Sequence, residues 1–256
     1  MVKPKKKKKI STKVTQMTTN DFWKLEDTNN DLPYYNDRTY TFELVKLGVF
    51  VLFLFLSVLS LIFGISNSVL GIVFRIIFSL GLATCGFVYM FDKHWYKRFF
   101  GNVTDIMSIG FFLVLSLAIG AGAYGLVGNL FDTNLLSVGD IVTTQALLIN
   151  ILIGIFQIMA EELFTIGLFM GIMVFGLRTL KVKRKNLVVA AILISSIIFS
   201  LLHLPGYNYN IVQCLLVVGL TRSVMTIAYF FKRNIMYSYI VHVLYNLAIL
   251  LYAFYF

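Results

Sequence analysis

Glu161 and Glu162 interrupt a long hydrophobic run in the string Met159-Ala-Glu-Glu-Leu-Phe-Thr-Ile-Gly167. Two carboxylates buried side by side must share a proton or find cationic and hydrogen-bonding partners, and a carboxylate so placed is suited to general base work. Phe199 and His203 stand four apart, as do His242 and Asn246, so each pair shares one face of a helix. Arg222 also lies inside an apolar run. Glu, His and Asn can exchange protons and donate hydrogen bonds to a developing oxyanion, which is enough for hydrolysis of a peptide bond. Ser195 and Ser200 have no neighbouring base that would make either a nucleophile. The bland reading of each His and Asn is interhelical hydrogen bonding; adjacent glutamates have no such ready explanation.

The elements that must hold these residues are membrane helices. Of 256 residues, 59% are hydrophobic and 13% charged, against roughly half and a quarter in soluble domains. A span needs roughly 20 apolar residues, and runs of that kind occur at 45–65, 70–90, 107–128, 142–177, 187–204, 211–231 and 235–255. The expected fold class is therefore an all-α polytopic membrane protein with about seven transmembrane helices. Residues 1–44 form a basic, polar N-terminal tail and 45–256 the transmembrane domain. No secretory signal is expected, since the first apolar run starts only near residue 47. The fourth run is about 54 Å long as a straight helix, so it must tilt, break or project into water. Cys85 and Cys214 read as buried free thiols. In the third run, Ala118 with Gly122 and Ala121 with Gly125 are small residues four apart that allow close helix approach.

The net charge of +10 follows from topology rather than from nucleic-acid binding. Placing the N-terminus in the cytoplasm puts 1–44, 91–106, 178–186 and 232–234 on that side. Counting Lys46 at the membrane edge, these hold 20 of the 22 basic residues, and Arg75 and Arg222 fall within spans. None remains for the external loops, as the positive-inside rule requires. The opening tract of Lys3 and Lys5 to Lys9 would lie against anionic cytoplasmic lipids. Counted from the cytoplasmic ends, Glu161 and His203 each stand about 25 Å up, while His242 and Asn246 stand about 12 and 18 Å up. One shared site is geometrically open to them, with a looser match for the last pair.

The order Glu161-Glu162, then Phe199-x3-His203, then His242-x3-Asn246 resembles the CPBP intramembrane protease family, also called Abi, which includes the type II CAAX prenyl endopeptidases and bacteriocin self-immunity proteins. The resemblance covers about residues 140–250 and implies a CPBP-type helical bundle. It implies that Glu161 activates water, that Glu162 and His203 orient it, and that His242 and Asn246 stabilise the oxyanion, with Phe199 and Arg222 in support. The family motif has an Arg four residues after its second Glu, where this chain has Ile166; Arg222 or Arg75 would have to take its place.

No cofactor is expected. If zinc were bound, Glu161, His203 and His242 would hold it with an open position, although no His-Glu-x2-His run is present. The expected partners are the bilayer and a peptide or membrane-protein substrate, without nucleic acid. By analogy, the richness in Ile, Phe, Lys, Asn and Tyr points to the cytoplasmic membrane of a bacterium with an AT-rich genome, in bacteriocin immunity or signal-peptide processing. A second reading, favoured by Ile166, is a non-catalytic scaffold that binds and regulates a partner membrane protein. A transporter with a Glu/His proton relay ranks last, because residues 45–128 and 142–255 show no internal symmetry of the kind transporters carry.

Overall fold

The structure, a computed structural model, describes residues 31–35, 40–62, 68–131 and 144–255. Among them there is no strand, and seven helices are long and apolar enough to cross a membrane. The chain is thus an integral membrane protein of all-α architecture. In order, the helices are α1 (Leu44–Ile62), α2 (Val69–Met90), the short α3 (Tyr96–Phe99), α4 (Ile106–Phe131), α5 (Thr144–Phe175), α6 (Arg184–Leu201), α7 (Leu220–Lys232) and α8 (Ile235–Tyr255). Short π-helical segments, Gly176–Leu180 and Gln213–Gly219, extend α5 and precede α7.

Helix α5 is the axis of the bundle, packed by α1, α2, α6 and α8. The long fourth run neither breaks nor stands free: it stays α-helical to Phe175, every residue from 161 to 170 is buried, and it then widens into the π turn that ends at Lys181 in a left-handed conformation. In lipid the hydrophobic effect does not bring helices together, so small residues and hydrogen bonds must. Gly167 and Gly171 supply the first against α1: a Cβ at Gly167 would lie 2.8 Å from Leu54 Cδ1, and one at Gly171 3.2 Å from Leu47 Cδ1. Ser57 of α1 supplies the second, with its Oγ 2.9 Å from both the carbonyl and the hydroxyl of Ser79 on α2.

Helix α4 buries Ile109, Phe112, Ser116, Gly120, Ala123 and Val127, a stripe of three- and four-residue steps. Its close approach differs from the one expected: Gly122 and Gly125 face open space, whereas a Cβ at Gly120 would sit 2.6 Å from Tyr245 Oη on α8. Cys214 is buried, but Cys85 lies on the exposed face of α2, where a span turned towards lipid leaves any apolar residue.

At one end of the bundle the connections 91–105, 181–183 and 233–234 gather with residues 31–35. Arg184 donates to Asp31 through Nη1 at 2.8 Å, Tyr34 Oη donates to Asp92 at 2.6 Å, and Lys232 pairs with Asp105 at 2.5 Å. Leu32, Tyr34 and Tyr35 are buried, so this stretch packs on the bundle end. The basic opening tract lies outside the described residues.

Candidate active site

Glu162 projects from the buried stretch of α5 and is completely enclosed. A carboxylate there needs all its lone pairs answered. Arg222 of α7 does this in a two-pronged pairing, Nη1 to Oε1 and Nη2 to Oε2, the latter at 3.0 Å. Ser238 of α8 donates to Oε2 at 2.7 Å, and His242 Nδ1 lies 2.9 Å from Oε1. Helices α5, α7 and α8 are therefore tied together through one carboxylate. Arg222 reaches it from a helix entered through seven π-helical residues, a widening often found at functional sites.

The Arg222 guanidinium also covers the Phe199 ring, 4.8 Å from its centroid, and Phe199 lies against His203 in a tilted contact at 4.4 Å and edge-on to His242 at 6.1 Å. Phe199 thus sits between both imidazoles and the cation. His203 Nδ1 is 2.9 Å from the Phe199 carbonyl; donation to that acceptor leaves Nε2 as the free, basic nitrogen.

Glu161 is held differently. It is buried, accepts one side-chain hydrogen bond from Gln157 at 2.8 Å, and has Oε2 3.9 Å from His242 Nε2. Its neighbour is saturated, while its own second oxygen accepts no hydrogen bond among the described residues and has only His242 nearby. Asn246 follows His242 by one turn and is half-buried. Burial pushes the Tyr207 phenol, in the turn after His203, up to about 12, with Tyr245, Cys214 and Glu161 adding to the shift. Tyr207 therefore offers a neutral hydroxyl near Glu161.

The structure brings Glu161, Glu162, Phe199, Arg222 and His242 together, with His203 against Phe199. The Arg absent from position 166 is replaced in space: Ile166 is fully buried in the apolar core, and Arg222 carries the cation to Glu162. Arg75 does not, since it donates to the Leu61 carbonyl at 3.4 Å. Two members of the cluster, Gln157 and Ser238, escaped the sequence reading. Each lies four residues before a residue that was noticed, Glu161 and His242, so extending the four-residue period one step back would have found both. Among the described residues no three His, Cys, Asp or Glu side chains converge as a metal-ligand group; Glu161 and His242 approach each other, and His203 does not complete a triplet.

Residues 143–248 match the family model described as type II CAAX prenyl endopeptidase Rce1-like. The matched stretch runs from the start of α5 into α8 and contains every residue of the cluster. No curated protein and no solved structure matches the chain.

Proposed function

From the match of residues 143–248 to the Rce1-like family model, we propose that the protein is an intramembrane endopeptidase of the CPBP type acting on a membrane-associated peptide or protein, with Glu161 as its base. The observation that carries this is the split between adjacent carboxylates: Glu162 is neutralised by Arg222, Ser238 and His242, which leaves Glu161 to handle a proton.

In the reaction Glu161 takes a proton from water as the oxygen attacks the substrate carbonyl carbon. Hydrogen-bond donors on His242 and Asn246 receive the negative charge that develops on the carbonyl oxygen, an effect largest in a site shielded from bulk water. Protonated Glu161 then returns its proton to the amine nitrogen as the C–N bond breaks, giving a carboxylate and an amine. His203, with Nε2 free, accepts a hydrogen bond from the attacking water. Glu162 fixes Arg222 and His242 instead of touching the water. The path as written uses no metal or other cofactor.

The basic end of the bundle supports a cytoplasmic N-terminus, and the composition supports the membrane of an AT-rich bacterium. Bacteriocin immunity or the processing of signal peptides is the role in which such an activity would serve there.

The test uses purified protein in nanodiscs with two quenched fluorogenic peptides, one prenylated and ending in a CAAX sequence, the other an unmodified apolar segment. Glu161→Gln should lower cleavage by about 10²–10⁴-fold, the usual weight of a general base. Cleavage unchanged by that substitution would remove Glu161 from the chemistry. The scaffold reading, which Ile166 favoured, predicts a cellular phenotype indifferent to Glu161→Gln and His203→Ala with both variants still in the membrane.

A further inference from the structure

A second polar feature lies on the flank of the bundle, between α1, α2 and α5, where Asn150 is exposed and Arg75 and Gln157 are half-buried. A cavity of about 190 Å³ is lined by Leu61, Arg75, Ile76, Asn150, Ile153 and Gln157. Asn150 and Gln157 are seven residues apart and so share one face of α5, two turns above one another. Arg75 brings an always-charged group to membrane depth, where it is costly without partners. Its Nη1 bond to the Leu61 carbonyl answers one of the unpaired carbonyls at the end of α1. Its Nε is buried with no hydrogen-bond partner among the described residues. A chamber of this size with several polar groups is roomy enough for several water molecules. At its inner edge stands Gln157, whose Nε2 donates to Glu161 at 2.8 Å.

We propose that the Arg75–Asn150–Gln157 cavity is the water antechamber of the active site, and that Gln157 is the positioning residue that aims the Glu161 carboxylate at water drawn from it. This rests on the hydrolytic reading above, because only a hydrolase consumes water at Glu161. One side of Gln157 faces the chamber and the other holds Oε1 of Glu161, which leaves Oε2 for the proton. The apolar walls, Leu61, Ile76 and Ile153, keep the remaining volume from being claimed by charge. Arg75 and Asn150 give the chamber polar groups on two of its sides, as an ordered water site needs.

Thiol accessibility tests the chamber without reference to activity. In a Cys85→Ser, Cys214→Ser background, Ile153→Cys, on the half-buried cavity wall, should react with a small cationic methanethiosulfonate reagent in nanodiscs at least ten times faster than Leu152→Cys, one residue away on the exposed face of α5. Equal rates at both positions, or no reaction at Ile153→Cys, would overturn the antechamber. Gln157→Met, which keeps the length and removes the donor, should lower kcat about tenfold or more on the fluorogenic peptides with KM changed less than twofold. Wild-type kcat in Gln157→Met alongside a dead Glu161→Gln would overturn the positioning role while the protease reading stood. A labelled Ile153→Cys with no peptide cleaved by the wild type would overturn the hydrolytic premise instead.

Discussion

Arg222 and Glu162 form a buried ion pair whose two halves are worth more together than either is alone. Taking the cation away strands a carboxylate in the bundle core, and breaking one side of such a pair costs about 3–5 kcal/mol. Arg222→Met should therefore reduce the folded yield and lower the melting temperature sharply in detergent. Glu162→Gln combined with Arg222→Met should recover much of that loss, since removing both charges removes the desolvation they share. A double-mutant cycle on thermal unfolding reads the coupling, and additive losses would mean that the two do not act as a pair. The residues of this cluster were partly legible in the sequence because the bilayer makes every ionisable group conspicuous: Glu161, Glu162, Phe199, His203, Arg222 and His242 all stood out against apolar neighbours. Which cation meets Glu162 was open between Arg75 and Arg222, because spacing along a chain gives no register between separate helices. Gln157 and Ser238 were passed over because uncharged polar residues are ordinary hydrogen-bonding glue in membrane helices.

At the scale of helices, the span limits were readable because length and apolarity are set by bilayer thickness, and the seven runs correspond closely to seven helices. The contact surfaces were harder to read. On α4 the small pairs at four-residue spacing face open space, and the tight contact falls on Gly120 against Tyr245. On α5 it falls on Gly167 and Gly171, inside the stretch that also carries the carboxylates. A small residue permits close approach but does not say from which side the neighbour comes. Gly167→Leu should push α1 off α5 and cost about 1–3 kcal/mol, the usual penalty for overpacking. Thermal unfolding in detergent measures it, with Gly122→Leu on α4 as a comparison expected to stay near the wild type.

Across the whole molecule, the charged end acts as a collar. Lys232 and Ser108 hydrogen-bond the Asp105 carboxylate and hold it well below the usual range. A depressed carboxyl stabilises the fold at pH values above its unfolded value of about 3.9, and the contribution disappears as pH falls through the lower, folded value. The wild type should thus lose stability on acidification below about pH 4 more steeply than Asp105→Asn. The variant should differ little from it at low pH and be slightly weaker at pH 7. Melting temperatures measured from pH 3 to 8 check this, and parallel curves for the two proteins would count against it. Lys232 and Asp105 are both partly exposed, so the pair is a modest one.

Asp31 and Arg184 are 153 residues apart in sequence, and that separation imposes an order in time. Asp31 leaves the ribosome long before its partner exists; at about 5–20 residues per second, the wait is roughly 8–30 s. During that interval Leu32, Tyr34 and Tyr35 have only part of their final surroundings, the aromatic cluster of Phe91 and Phe99. Arg184 begins α6, so this bond of the collar closes only after α5 has been inserted and the chain has turned back, and before Lys232 arrives to meet Asp105. Docking of Asp31 on Arg184 therefore follows the insertion of α5 and precedes that of α7 and α8, an order built into synthesis.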